Sequence, residues 1–125
     1  MDQIADLIIR IKNASAIGKY EVEMPFSKMK EAILNILKEE GFVTDFSSLE
    51  IEGKKTLKIS ISSKKSPSHF RQISKPGHRI YMKSKTINIP LRGFGTAIVS
   101  TSQGVVNAKV ARSKGIGGEL ICEIW

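Results

Sequence analysis

Residues 27–42, Ser27-Lys28-Met29-Lys30-Glu31-Ala32-Ile33-Leu34-Asn35-Ile36-Leu37-Lys38-Glu39-Glu40-Gly41-Phe42, contain both ends of a helix and its apolar face. Ser27 can offer its hydroxyl to the unpaired N–H groups of a first turn. Met29, Ile33, Ile36 and Leu37 then fall on one side at helical spacing, and Gly41 provides the stop, with Phe42 placed to pack back over the last turn. Everything around this stretch is read relative to it.

Working towards the N-terminus, Tyr20, Val22 and Met24 alternate with Glu21 and Glu23 up to Pro25, which predicts a half-buried strand. Before it, Ile4, Leu7, Ile8 and Ile11 keep the i, i+3, i+4, i+7 spacing, so a helix is expected from residue 3 to about 15, with Asp2 as N-cap and Gly18 beyond its end. On the C-terminal side, residues 42–51 and 55–62 read as two strands around Glu52-Gly53-Lys54, the second alternating Leu57, Ile59 and Ile61 with Lys58, Ser60 and Ser62. Residues 1–62 are thus an α-β-α-β-β lobe.

Residues 63–68, Ser63-Lys64-Lys65-Ser66-Pro67-Ser68, have no apolar anchor and read as a linker. The second lobe, 69–125, is broken by turns into short strands. These are Arg71 to Ser74, a Lys75-Pro76-Gly77 turn, His78 to Lys83, Thr86 to Pro90, a Gly93-Phe94-Gly95 bend, and Thr96 to Thr101. A short helix, Ala108 to Lys114, capped by Asn107 and ended by Gly115, precedes a last strand from Glu119 to Trp125. The fold class is α+β, two small lobes, the second mostly β with one short helix.

Charge divides at the same place. Met1–Ser62 holds 9 Lys and Arg against 10 Asp and Glu, whereas Ser63–Trp125 holds 11 against 2. A half so short of carboxylates repels itself unless an anionic polymer neutralises it and releases counterions, which makes nucleic acid the leading partner. A solvated basic face is the plainer alternative. A membrane surface fits less well, because the cations are scattered through Gly- and β-rich sequence and do not line one amphipathic helix. Cys122 is the only cysteine, no apolar run nears the ~18 residues of a bilayer span, and Met1-Asp2-Gln3 opens no signal-like segment, so a soluble intracellular protein without disulfides is expected.

The residues give little for catalysis. His69, His78 and Cys122 make no metal-ligand pattern, and Cys122, alternating with Leu120 and Ile124, reads as a small buried side chain. Glu119 and Glu123, expected on one face of the last strand but well apart, are too thin a basis for acid/base work. No cofactor, metal or catalytic residue is expected, and no small-molecule substrate. A small phosphometabolite-binding enzyme or regulatory domain, using the Gly-rich turns, is the alternative; neither phosphate-loop fingerprint is present.

Binding chemistry gathers between Ser100 and Glu119. Ser100-Thr101-Ser102-Gln103-Gly104 puts three successive hydroxyls into a glycine turn, short groups that suit base edges and the 2′-OH of RNA. Lys109, Arg112 and Lys114 follow, then Gly115-Ile116-Gly117-Gly118-Glu119. Lys75 and Arg79, with Tyr81 beside them, add cations on a stiff turn and a ring that can stack.

These same residues carry a resemblance. Ser100-Thr101-Ser102-Gln103-Gly104, Ala111-Arg112 and Gly115-Ile116-Gly117-Gly118-Glu119-Leu120-Ile121-Cys122, ending on Trp125, closely resemble the C-terminal signature of the small ribosomal subunit protein eight family, bacterial or organellar type. Ile4-Ala5-Asp6, Arg10-Ile11-Lys12-Asn13-Ala14, Ser27-Lys28-Met29-Lys30-Glu31, Glu39-Glu40-Gly41-Phe42 and Ser74-Lys75-Pro76-Gly77 with Arg79-Ile80-Tyr81 stand in family order. The resemblance implies a structural constituent of the small ribosomal subunit that binds a helical stem with an internal loop in the central domain of small-subunit rRNA and supports assembly. It also implies neighbouring small-subunit proteins as partners, repression of its own operon through the messenger RNA, and location in the ribosome, cytoplasmic or in an organellar stroma or matrix.

By position, the resemblance implies that Ser100, Thr101, Ser102 and Gly104 meet the RNA internal loop, with Glu119 and Tyr81 supporting or touching it. Lys28, Lys30, Arg10, Lys12 and Asn13 match positions towards the RNA backbone. Gln103, Lys75, Arg79, Arg112 and Lys114 complete the expected RNA-binding set. The chain departs from the family pattern at Asn107-Ala108-Lys109-Val110, where an acidic, arginine-containing segment is common, and at His78, where a second arginine is frequent.

Overall fold

The computed structural model describes residues 3–64, 69–75, 77–84 and 95–125. Asp2, most of the expected linker, Pro76, the Thr86 to Pro90 segment, and residues 93 and 94 of the glycine bend lie outside the described residues. The chain divides into two compact units, Met1–Pro67 and Ser68–Trp125.

In the first unit, α1 (Gln3–Ala16) is followed by β1 (Glu21–Pro25), α2 (Lys28–Glu40), β2 (Val43–Ile51) and β3 (Lys54–Ile61). The sheet is antiparallel with β3 between β1 and β2. Leu57, Ile59 and Ile61 turn one face of β3 inward, Met24 lies across from Leu57, and all four are buried. Onto this face pack Leu7, Ile8 and Ile11 of α1 and Ile33, Leu34, Ile36 and Leu37 of α2, each at most 4% exposed. A fully buried Leu or Ile is favoured by about 1.5–3 kcal/mol over its exposed state, so this apolar layer is what holds the unit together.

Both ends of α2 form as the sequence predicts. The Ser27 hydroxyl accepts from the Lys30 N–H at 3.1 Å, and Gly41 takes the left-handed conformation at φ 90°. Phe42, buried, donates its N–H to the Leu37 carbonyl at 2.9 Å. The β2–β3 hairpin closes on Glu52 and Gly53, both at positive φ, the turn whose twist matches that of its strands. Tyr20 is a correction: it precedes β1 and is 42% exposed, so the inward side of that strand reduces to Val22 and Met24.

The second unit contains β4 (Phe70–Gln72), β5 (Tyr81–Met82), β6 (Thr96–Thr101), β7 (Gly104–Asn107), α3 (Ala108–Lys114) and β8 (Gly118–Ile124). The sheet runs β4-β8-β6-β7, and β5 joins the same edge of β8 as β4. α3 packs Ala108 and Ala111 onto Ala97, Val99 and Leu120. Its ends are the expected ones: Asn107 Oδ1 accepts from the Val110 N–H at 2.9 Å, and Gly115 sits at φ 68°. The expected strand from His78 to Lys83 shortens to two residues, because His78 pairs back with Lys75 in an isolated antiparallel bridge.

Two sequence expectations about faces fail for one reason. Along β6 and β8 the pairing runs Ser100–Glu119, Val99–Leu120, then Ile98–Cys122, so Ile121 is an extra residue in β8. Such a bulge shifts the alternation by one. Leu120 shares the α3 side with Val99, and Cys122 shares the opposite side with Ile98. Glu119 and Glu123 likewise fall on opposite faces. Cys122 is nonetheless fully buried, as expected.

Candidate nucleic-acid interface

Gly117 just ahead of β8 and Gly118 at its start begin the site by what they leave out. A Cβ on Gly118 would collide with the Ser100 carbonyl, and one on Gly117 would lie 2.5 Å from the Met82 carbonyl oxygen. Bare backbone at both positions lets β6 and β5 close on the start of β8 from its two sides. The result is a cross-strand row, Tyr81–Glu119–Ser100–Val105, with each residue directly opposite the next. Residues paired this way share a face. That face is the one turned away from α3, because the intervening Leu120 and Val99 point towards the helix.

Tyr81 is 71% exposed at one end of the row. Arg79 reaches over it, donating from Nη1 to Glu119 Oε2 at 3.1 Å and to Oε1 at 3.4 Å. The Glu119 side chain is 15% exposed and that of Arg79 58%, so the carboxylate is the covered anchor and the guanidinium the presented group. Ser74 holds the segment behind them. Its hydroxyl, in a residue 6% exposed, donates to the Leu120 carbonyl at 2.7 Å and accepts from the Ile80 N–H at 2.9 Å.

Ser102 and Gln103 form the tip of the β6–β7 hairpin between paired Thr101 and Gly104. Both keep negative φ, and the positive φ of 112° falls on Gly104. The Thr101 hydroxyl closes this tip, donating to the Gly104 carbonyl at 2.7 Å and accepting from the Gln103 N–H at 3.1 Å. Ser102 is exposed, and its hydroxyl has no partner among the described residues. One hydroxyl shapes the turn and its neighbour is presented by it. Gly104, Gly115, Gly117 and Gly118 are thus accounted for as a hairpin position, a helix cap and two close approaches, none of them a phosphate-binding loop.

Comparison with known proteins decides the family. Residues 2–125 match the family model for ribosomal protein S8. The chain is 42% identical to small ribosomal subunit protein uS8 of Thermus aquaticus over 99% of this chain and 98% of the relative. It is 43% identical to uS8c of Thalassiosira pseudonana, again over 99% and 98%, and 41% identical to uS8 of Methylobacillus flagellatus over 98% and 96%. The chain belongs to the ribosomal protein S8 family.

In this S8-family chain the other expected contact residues are distributed unevenly. Lys75 is exposed and exchanges backbone hydrogen bonds with His78, the residue before Arg79. Arg112 and Lys114 occupy the last turn of α3, where they complement the helix dipole, and they belong to the side of the sheet away from the Tyr81–Ser100 row. In the first unit Lys12, Asn13 and Lys28 are exposed, and Arg10 Nε donates to Asp6 Oδ1 at 3.1 Å. Lys30 differs from these. It is 5% exposed, and its Nζ donates to the Pro25 carbonyl at 3.1 Å, so this ammonium ties the start of α2 to β1. Among the described residues no group of His, Cys, Asp and Glu is placed to hold a metal, and no helix is long and apolar enough to cross a membrane.

Sequence reading missed Ser74 and β7. The Ser74 acceptor lies 46 residues away, so no local pattern announces it. For β7 a signal existed, because Val105 and Val106 are β-branched residues directly after a hairpin turn.

Proposed function

We propose that this chain is a structural constituent of the small ribosomal subunit that binds small-subunit rRNA through the α3-free face of its second unit. The observation that carries the surface assignment is the row Tyr81–Glu119–Ser100 ending beside the exposed Ser102–Gln103 tip, in a half with 11 basic residues and 2 acidic ones. A presented ring can stack on an unpaired base, short hydroxyls can approach the shallow minor groove, and Arg79, held by Glu119, can meet a phosphate. Family membership supports the ribosomal setting and the rRNA partner. In this reading the target is a stem with an internal loop in the rRNA central domain, bound during assembly, with other small-subunit proteins as neighbours. The same face is proposed to take an imitation of that stem in the chain's own operon messenger RNA. The protein works in the ribosome, in the cytoplasm or an organellar stroma or matrix. Lys12, Asn13 and Lys28 are proposed as secondary backbone contacts, and Lys30 is assigned to the fold.

Crosslinking to RNA in cells, followed by sequencing of bound fragments, should recover the rRNA stem; scattered messages without it would overturn the reading. In vitro, Ser102→Ala should weaken binding to that stem about fivefold, the equivalent of one hydrogen bond of about 1 kcal/mol, and leave binding to unrelated duplex nearly unchanged. Equal loss on both RNAs would remove Ser102 from direct readout.

A further inference from the structure

Between β4 and β5, where Ile73 and Ile80 bond to the edge of β8, the second unit has a groove of about 480 Å³ lined by Arg71, Gln72, Ile73, Lys75, His78 and Ile80. Its floor is fixed by backbone hydrogen bonds: Ile73 N–H to the Ile121 carbonyl at 2.9 Å, Leu120 N–H to the Ile80 carbonyl at 2.9 Å, and reciprocal bonds between Lys75 and His78 at 3.0 and 2.9 Å. Gln72 is held too, its Nε2 donating to the Ser74 carbonyl at 3.2 Å. The cationic side chains are not. Arg71, Lys75 and His78 are all exposed, and none has a side-chain partner among the described residues. Arg71 stands directly across from Glu123, but Glu123 is 8% exposed and makes no ion pair with it, so the groove presents the guanidinium.

We infer that this groove is a second RNA site that takes one nucleotide of the strand by its backbone, the phosphodiester on Arg71 and Lys75 with a hydrogen bond from His78, and the sugar against Ile73 and Ile80. The inference rests on the rRNA-binding reading and adds to it Arg71 and His78. A phosphodiester suits the site because a planar guanidinium and an ammonium lining one groove match an anion with several acceptor oxygens. The volume accommodates a unit of nucleotide size, and pockets of about 300–1,000 Å³ are typical of small ligands. Arg79 connects this groove to the Tyr81–Ser100 row, since it follows His78 in the chain and reaches Glu119. Division of labour follows: the row reads, and the groove anchors without regard to sequence.

The test uses the full chain and a transcribed rRNA central-domain stem, with an unrelated duplex alongside. Arg71→Ala with Lys75→Ala should weaken binding to both RNAs about tenfold and lower the slope of log affinity against log salt by about 0.7–0.9 per phosphate lost. Ethylation interference should find a phosphate whose modification weakens the wild type but not the double variant. An unchanged slope and an unchanged interference pattern, with Ser102→Ala still selective for the stem, would overturn the groove and leave the rRNA reading standing. Wild type that does not prefer the stem would overturn that reading first. A double variant that binds RNA normally but fails to enter subunits would make the groove a protein contact and refute the inference.

Discussion

Ser74 does more for the proposed interface than any residue that faces solvent in it. One hydroxyl bridges β8 and the segment that delivers Arg79 and Tyr81, by accepting from Ile80 and donating to Leu120. Ser74→Ala leaves a buried N–H and a carbonyl short of a partner, a loss of about 1–3 kcal/mol. The expected outcome is a lower urea midpoint with an unchanged slope, together with weaker RNA binding, since Arg79 and Tyr81 lose their support. An unchanged midpoint would show that the backbone bond from Leu120 N–H to Ile80 suffices. At this scale the sequence was legible where a residue acts on its near neighbours. Ser27, Gly41, Asn107 and Gly115 act within a few positions of themselves, and the structure uses all four as caps. It was not legible where a short polar side chain acts at long range. Ser74, Thr101 and Ser102 look alike in the chain, yet the first bridges two strands, the second closes a turn and the third is left exposed.

Elements were readable in proportion to how much local pattern they carry. α2 has a cap, an apolar stripe and a stop, and it forms where those say. β5 has two residues and exists because Gly117, just ahead of β8, leaves no side chain against the Met82 carbonyl. The β8 bulge at Ile121 is invisible in an alternating apolar sequence, since inserting one residue costs the pattern nothing until it is paired with β6. β2 offers a case where charge, and not burial, shapes an element. Beyond Val43 its side chains are half-buried at most, but Asp45 accepts from the Phe46 N–H at 2.9 Å and from Lys38 Nζ at 3.2 Å. The backbone hydrogen bond, then the lysine, hold its carboxyl below the ordinary value of 3.8. A carboxyl lowered in the folded state stabilises above its unfolded pKa, and that stabilisation is lost as pH falls through the folded one. Asp45→Ala should therefore lower the urea midpoint at pH 7, with the gap to wild type closing as pH drops below about 4. A gap that stays constant down to pH 2 would mean that Asp45 acts through shape alone.

Across the whole molecule, charge is the property that the sequence displayed most openly and that the fold leaves unevenly distributed. Several cations of the first unit are engaged at home, Arg10 with Asp6, Lys38 with Asp45 and Lys30 with Pro25. The second unit has 2 carboxylates, one of them already matched to Arg79. Among the described residues Arg71, Lys75, Lys109, Arg112 and Lys114 of this unit make no ion pair, so the salt dependence of RNA binding should belong mainly to that unit. Each phosphate contact contributes about 0.7–0.9 to the slope of log affinity against log salt, which is a factor of about three between 50 and 200 mM. Replacing Lys75, Arg79 and Arg71 together by Gln removes two phosphate contacts, one shared by Arg71 and Lys75 and one on Arg79, and should therefore reduce the loss over that interval about tenfold, while Lys12→Gln with Lys28→Gln should change it by less than one contact's worth. Arg112→Gln with Lys114→Gln separates two arrangements of the second unit. If the RNA reaches past the face away from α3 only at the Arg71 edge, this pair leaves the slope unchanged; a fall equal to two contacts would mean that the strand wraps around the end of the helix and that the proposed interface is too small. Filter binding across four salt concentrations, with folding of each variant checked by its urea midpoint, distinguishes these outcomes. A slope governed by the first-unit lysines would reject the assignment of RNA binding to the second unit.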